Sequence, residues 1–178
     1  MKTKSKIVSM LLMACGITVT FCELSADEPA VSKDNINRVV GREVEGFRLA
    51  ISTTNNVFQL GQPIHLSISI QNVTTNRSVL PITERNLSFE AIGPEGRSVP
   101  ETELGAKILH PTIFRSFSGE LVLPGRSLVS DTDLTTLFFM TNAGEYSFTM
   151  LHKLANGKSL SAGPLKIRII DVQSSGAK

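Results

Sequence analysis

The sequence predicts an all-β fold, an antiparallel β-sandwich of about seven or eight strands. Short segments alternate apolar and polar residues with the period of two that a half-buried strand requires. Glycine, proline and asparagine turns separate these segments, and no segment sustains the period of a long helix. The chain has 178 residues and is 41% apolar, which is enough to form the core of one domain.

The first predicted strand starts at residue 45, where Phe47, Leu49 and Ile51 alternate with small or charged residues. The clearest strand lies at 64–70, because a strand places its isoleucine and leucine side chains on one face. A single helical turn is predicted at 133–138, with Asp133 accepting the first free amide protons. Further strands are predicted at 78–82, 87–89, 97–99, 145–151 and 165–169, and two short apolar runs at 120–123 and 127–130 flank a turn.

Three segments lack a clear strand pattern. Residues 27–44 contain a proline, asparagines and scattered charges, and they are interpreted as an N-terminal leader or tether. The sandwich is therefore expected to span residues 45–172, followed by a disordered tail at 173–178. Prolines and glycines interrupt residues 100–119, which predicts an irregular loop.

Residues 1–26 have the three parts of a secretory signal peptide. Three lysines precede an uncharged apolar run that ends at Cys22, and Ala26 offers a small residue for cleavage. The run is shorter than the ~20 residues that span a bilayer. We therefore expect a secreted or periplasmic protein whose mature chain begins near Asp27.

A second location follows from Leu12-Met13-Ala14-Cys15, which resembles the lipobox of bacterial lipoproteins. The resemblance implies acylation of Cys15 and a membrane-anchored lipoprotein. The apolar run after Cys15 departs from the polar tether usual in that family. Cleavage after Ala26 would instead leave no cysteine, and hence no disulfide and no thiolate metal site.

Net charge argues against nucleic-acid binding. Without residues 1–26, basic and acidic residues balance at fifteen each, so the net charge is zero. Such a chain has no general electrostatic attraction for nucleic acid. We therefore predict no nucleic-acid partner, and contact with a membrane only if Cys15 is lipidated.

Motifs for catalysis and cofactor binding are missing from the sequence. Gly-x-Ser-x-Gly, a phosphate-binding loop, His-Glu-x-x-His and Cys-x-x-Cys do not occur. His65, His110 and His152 are far apart in sequence, and each is expected at the surface. Asp131 and Asp133 form a close acidic pair, but calcium needs six to eight oxygen ligands and no third acid lies near them. The sequence thus predicts no catalytic residue, no cofactor and no metal.

The residues Asn142-Ala143-Gly144-Glu145-Tyr146 resemble the Asp-x-Gly-x-Tyr signature that leads into the sixth strand of immunoglobulin-like domains. The resemblance implies a structural corner at Gly144 and Tyr146, in which the tyrosine hydroxyl bonds back to the preceding turn. Phe148 stands where antibody domains have cysteine, and the chain has no tryptophan, which excludes an antibody-type domain. The pattern over residues 46–171 is similar to exported bacterial immunoglobulin-like domains, related to macroglobulin-like and cell-adhesion modules, and implies an immunoglobulin-like sandwich.

These features favour an exported, non-catalytic interaction module whose partner is a protein or another component of the cell envelope. The loop 100–119 is the best candidate surface, because long loops in compact domains are often functional. A proteinase inhibitor acting through this loop is the alternative, since a small bacterial proteinase-inhibitor family has a similar layout. Sugar binding is disfavoured because tryptophan is absent, whereas an enzyme that uses dispersed acids stays open. The candidate contact residues are Lys107, Leu109, Ile113, Phe114 and Arg115.

Overall fold

Two four-stranded β-sheets make up most of the folded chain. The computed structural model describes residues 36–80, 87–110, 119–154 and 156–171. Two short helices, α1 (Glu103–Leu109) and α2 (Leu134–Leu137), interrupt the strands of these ranges. The strands are β1 (Asn37–Val44), β2 (Phe47–Thr53), β3 (Val57–Gln59), β4 (His65–Asn72), β5 (Ser78–Leu80), β6 (Leu87–Ile92), β7 (Glu120–Val122), β8 (Ser127–Asp133), β9 (Gly144–Lys153) and β10 (Ser159–Ile170).

The first sheet has the strand order β1-β2-β4-β8, and the second has the order β3-β10-β9-β6. A separate two-stranded ribbon pairs β5 with β7. The predicted all-β fold is confirmed. The expectation of wholly antiparallel pairing is wrong at one place, because β3 runs parallel to β10. The chain crosses between sheets after β2, so β3 pairs with a distant strand rather than closing a hairpin with its predecessor.

Both sheets contribute to one hydrophobic core. The predicted alternation is confirmed in the longest strands, whose inward positions are almost fully buried. These positions carry large aliphatic and aromatic side chains, so each sheet turns one apolar face towards the other. The buried residues that the alternation predicts are Phe47, Leu49, Ile51, Ile64, Leu66, Ile68, Ile70, Tyr146, Phe148, Met150, Leu165, Ile167 and Ile169.

The sheet begins earlier in the chain than the sequence predicts. Strand β1 lies within the segment 27–44 that was interpreted as a leader, and it pairs antiparallel with β2 from Asn37 to Val44. That interpretation is therefore wrong for residues 37–44. The alternation is weak there because the inward positions of this edge strand include Asn37 and Gly41 beside Val39. Pairing with β2 supplies the order that the local pattern does not.

Helix α2 is the predicted helical turn. The Asp133 side chain caps it, since Oδ1 accepts hydrogen bonds from the Thr135 backbone N–H at 2.9 Å and the Thr135 hydroxyl at 2.7 Å. The same oxygen also accepts from the backbone N–H of Ile64 at 3.2 Å, which ties α2 to the start of β4. No helix in the described ranges is long and apolar enough to cross a membrane. The predicted signal peptide, Cys15 and the predicted tail at 173–178 lie outside the described residues.

Candidate functional site

The predicted contact loop at 100–119 is in part a helix. Helix α1 occupies Glu103–Leu109, and the Thr102 hydroxyl caps it by accepting from the Gly105 backbone N–H at 2.8 Å. Gly105 lies against the Leu137 carbonyl so closely that a Cβ would stand 2.1 Å from its oxygen. The prediction of an irregular loop is therefore wrong for residues 103–109, where packing against α2 stabilises a short helix that contains glycine.

The structure separates the five predicted contact residues. Leu109 is 7% exposed and belongs to the core, so it cannot serve as a contact residue. Lys107 is exposed on α1, and its Nζ lies 2.6 Å from Glu103 Oε1. Ile113, Phe114 and Arg115 lie outside the described residues. The predicted surface is thus reduced to the outer side of α1 in the described part of the chain.

His152 is a second correction, because it is completely buried rather than at the surface. It continues the inward positions of β9 after Phe148 and Met150 and lies opposite Leu87 and Leu160 of the neighbouring strands. His65 and His110 are exposed as expected. The period-two pattern of β9 contains the signal for burial of His152, which an argument from residue type alone misses.

The predicted hydrogen bond at the start of β9 is present. Tyr146 is 2% exposed, and its hydroxyl donates to the carbonyl of Asn142, four residues upstream, at 2.8 Å. The Tyr146 ring lies on the same face of β9 as the Phe148 ring and the Met150 side chain. This bond satisfies a buried phenol and fixes the loop that enters β9.

The turn after β6 rests on this corner. At Gly144, φ is +147°, and a Cβ would stand 2.5 Å from the Pro94 ring. Any larger residue at position 144 would push the proline away. Gly144 therefore has two reasons to be glycine, its backbone conformation and the close approach of Pro94.

A two-lobed recess opens around this contact, and we call it the corner cleft. Its larger lobe has a volume of about 470 Å³ and lies between residues 93–100 and the loop that enters β9. The smaller lobe has a volume of about 390 Å³ and lies on the other side of the Pro94–Gly96 turn. Both volumes are in the range of known ligand sites. The larger lobe is lined by Gly93, Pro94, Glu95, Arg97, Ser98, Val99, Pro100, Phe139, Thr141, Asn142, Ala143 and Tyr146, and the smaller by Ile92, Gly93, Pro94, Glu95, Gly96, Glu145, Tyr146, Ser147 and Lys166.

Glu95 lines both lobes and has a left-handed backbone, with φ +69° and ψ 10°. The turn closes with a hydrogen bond from the Gly96 N–H to the Gly93 carbonyl at 3.2 Å. A proline at the second position and a left-handed residue at the third are typical of a type II turn, which normally has glycine at that third place. A non-glycine residue there costs about 1–2 kcal/mol. Strain of this kind is concentrated at functional sites.

Phe139 supplies the exposed aromatic surface of the cleft and is 54% exposed. Its backbone N–H donates to the Pro100 carbonyl at 2.9 Å, which holds the two walls together. The preceding Phe138 points inward and packs against Phe148, with ring centroids 6.1 Å apart. Because successive side chains of extended backbone point to opposite sides, burial of Phe138 directs Phe139 outward.

The charges of the cleft form two exposed ion pairs. Arg97 lies 3.5 Å from the Glu95 carboxylate, and Lys166 Nζ lies 3.0 Å from Glu145 Oε1. Exposed pairs of this kind contribute little to stability and can exchange their partners for a ligand's charges. The cleft thus offers an aromatic and proline surface with both signs of charge at its rim.

Asp131 and Asp133, the acidic pair weighed for calcium, serve other roles in the structure. Partial burial acts to raise the pKa of Asp133, but hydrogen bonds from Thr135 and Ile64 outweigh it and lower that pKa below its ordinary value. Its Oδ1 is occupied by capping, while Asp131 is exposed on the edge strand β8. Within the described ranges no group of three or more His, Cys, Asp or Glu side chains could hold a metal ion.

Sequence reasoning identified the corner at Gly144 and Tyr146 but missed Phe139, Glu95 and Arg97. The signal for Phe139 was the pair Phe138-Phe139 after a helical turn, since only one of two adjacent aromatic residues in extended backbone can enter the core. The signal for the turn was Gly93-Pro94-Glu95-Gly96. Nothing local indicates that these two segments, more than forty residues apart, face each other.

The comparisons of this chain with known protein families and curated proteins found no relative. No protein-family model matches the chain, and no curated protein is similar to it in sequence.

Proposed function

We propose that the chain is an exported, immunoglobulin-like interaction module that binds a segment of a partner protein in the corner cleft. The single observation that carries the binding proposal is the half-exposed Phe139 in a recess of about 470 Å³ beside the strained Glu95. An exposed aromatic residue in a pocket is the usual anchor of a binding surface.

The strand order supports the immunoglobulin-like assignment. In such domains strands A, B and E share one sheet, and strands C, F and G share the other. The neighbours β2-β4-β8 correspond to A, B and E, and β6-β9-β10 correspond to C, F and G. Tyr146 stands near the start of the strand equivalent to F, where the corner tyrosine belongs. The extra strand β1 and the parallel β3–β10 pair extend this plan.

The chemistry of the cleft favours a peptide segment as the occupant. Phe139, Pro94 and Pro100 offer an apolar surface for one side chain of the partner. Arg97 and Lys166 can pair with acidic groups on either side of it, and Glu95 with a basic group. The Tyr146 hydroxyl is already bonded to Asn142, so its role is to hold the wall rather than to transfer a proton. This arrangement supports the proposal that the cleft binds a peptide segment.

Site-specific photocrosslinking tests this proposal. A photoreactive phenylalanine analogue placed at position 139 should give one defined protein adduct in cells that export the chain. The matched control is the same analogue at Glu90, which is exposed on β6 outside the cleft lining. We expect no adduct from position 90. Equal adducts from both positions, or none from position 139, would contradict binding at the cleft.

The second proposal, a proteinase inhibitor, is favoured by Leu104 and Ile108. These two side chains are about half exposed and lie one turn apart on the outer side of α1. A protruding apolar pair of this kind could enter the cleft of a proteinase. Residual activity of a panel of proteinase classes, with the parent and with the doubly substituted Leu104→Ser/Ile108→Ser variant, tests this. Inhibition by the parent that the variant loses would support it, and no inhibition of any class would exclude it.

A further inference from the structure

The outer face of the first sheet is built from small side chains at its centre. The inner strands β2 and β4 present Ala50 and Ser52 opposite Ser69 and Ser67. Ala50 is only 5% exposed although it lies on the face that alternates with the core-facing residues Leu49 and Ile51; its cross-strand neighbours are Val40 and Ser69. Small central residues leave the middle of this face low between the larger side chains at its two ends.

Strand register arranges this face in two rows that cross all four strands. The first row runs from Val40 on β1, through Ala50 and Ser69, to Val129 on β8. Its end residues are the most exposed part of the row, at 48% for Val40 and 64% for Val129. The second row, two residues along each strand, runs Arg38, Ser52, Ser67 and Asp131. We call these eight residues the sheet face.

The two ends of the second row carry opposite charges. Arg38 and Asp131 are both exposed, and neither makes an ion pair with another residue in the described part of the chain. Of the other charges on this sheet, Arg48 lies 3.9 Å from Glu43 and Asp133 caps α2, whereas Arg42 on β1 is exposed and makes no ion pair within the described ranges. Three strand spacings separate Arg38 from Asp131, a distance of about 14 Å. They are therefore too far apart to pair within one molecule.

We propose that a second copy of this chain docks on the sheet face through a twofold axis parallel to the strands. Such an axis lays β1 of one copy over β8 of the other, so Arg38 of each copy faces Asp131 of its mate. The valines at the two ends of the first row meet in the same way. Each contact then occurs twice, as a closed twofold interface requires. A net charge of zero for residues 27–178 removes the overall repulsion between copies.

The size of the sheet face sets the strength of this dimer. Four strands and the residues between the two rows cover about 400 Å² on each copy. A stable interface buries about 800 Å² on each partner. We therefore expect a weak, concentration-dependent dimer that forms above roughly 10–100 μM. The proposal is independent of ligand binding in the corner cleft.

Sedimentation equilibrium of the purified protein from 5 μM to about 1 mM tests this. The mean mass should rise towards that of a dimer with concentration and fall back in 1 M NaCl. Arg38→Asp and Asp131→Arg should each weaken association about tenfold or more, because each converts two attractive contacts into repulsive ones. The doubly substituted Arg38→Asp/Asp131→Arg variant restores opposite charges and should restore the dimer.

Glu90→Arg is the matched control, since it reverses one charge on the outer face of the other sheet. Its association should equal that of the parent, and circular dichroism should show all variants folded. A parent that stays monomeric to 1 mM would overturn the proposal. Insensitivity of the association to Asp131→Arg would overturn the proposed arrangement. Failure of the double variant to restore association would do the same.

Discussion

The two ends of β4 use polar side chains in different ways. At its C-terminal end, Asn72 is completely buried and makes four hydrogen bonds. Its Nδ2 donates to the carbonyls of Val122 and Asn76, both at 2.8 Å, and its Oδ1 accepts from the backbone N–H and the hydroxyl of Thr74. The amide thereby joins β4 to β7 and closes its own turn with every donor and acceptor satisfied.

The N-terminal end of β4 lies beside the end of β8. From β8 the chain continues into α2 and then forms one wall of the corner cleft. Tyr146 satisfies one carbonyl there, but Glu95 keeps a strained backbone and Phe139 stays half exposed. The charged groups around the recess form exposed pairs. A left-handed non-glycine residue occurs at both ends, at Glu45 before β2 and at Glu95. The difference is that the buried amide at one end has every polar group satisfied, whereas the other end keeps apolar surface that stability alone does not require.

The largest effect is expected at Tyr146, on which the corner depends. Tyr146→Ala removes the hydroxyl bond and opens a cavity, which should lower the free energy of unfolding by about 3–5 kcal/mol. Tyr146→Phe removes only the bond to Asn142 and should cost about 1–3 kcal/mol. Denaturant unfolding of both variants measures these losses. A Tyr146→Phe variant as stable as the parent would show that the hydroxyl bond contributes nothing.

Asn72→Ala should have the next largest effect, because it leaves the buried carbonyl of Val122 and an N–H of the turn without their partner. We expect a loss of about 2–4 kcal/mol in the free energy of unfolding. The control is Asn156→Ala, whose exposed Oδ1 accepts a local hydrogen bond from the Lys158 N–H and whose side chain also hydrogen-bonds the exposed Glu45. That control should cost less than about 1 kcal/mol. Similar losses at the two positions would remove the contrast between the ends of β4.

How far the sequence predicts this fold depends on how local the signals are. Strong alternation predicted β4, β9 and β10, and the capping residue Asp133 predicted α2. The period-two pattern of β9 also indicated that His152 is buried, although histidine as a residue type is more often found at the surface. Strand β1 was missed because its inward positions are weakly apolar.

The parts that sequence could not predict depend on contacts between distant segments. Helix α1 forms because Gly105 packs on α2, a contact that no window around residue 105 reveals. The corner cleft exists only where residues 93–100 meet residues 139–146. Leu109 was predicted at the surface for the same reason, since its burial depends on how α1 docks.

A smaller effect is expected at Asp133, which caps α2 and whose contribution to stability should depend on pH. Asp133→Ala should cost about 1 kcal/mol, the usual loss for an N-cap. The pKa of Asp133 is lowered in the folded protein, so its stabilisation is present above its ordinary pKa of 3.8 and is lost as the pH falls through the lowered value. Unfolding curves between about pH 5 and pH 2 should therefore converge for the parent and Asp133→Asn. A difference that stays constant with pH would contradict this role.

The smallest expected effect is a gain in stability, from a substitution at Glu95. Glu95→Gly places glycine at the left-handed position of the turn and should raise the free energy of unfolding by up to about 1 kcal/mol. Thermal unfolding measures this gain, with Gly96 left unchanged because its φ of +72° also favours glycine. A loss of stability in this variant would show that the Glu95 backbone is not strained.

The most direct measurement is the yield of the adduct from a photoreactive residue at position 139, compared between the parent, Glu95→Gly and Asn156→Ala. If the corner cleft binds a partner, Glu95→Gly should reduce the yield about fivefold or more while the protein is at least as stable, because a charge at the rim of the cleft is lost. Asn156→Ala should leave the yield unchanged. An unchanged yield in Glu95→Gly would contradict the account, because the Glu95 carboxylate at the rim would then have no part in binding.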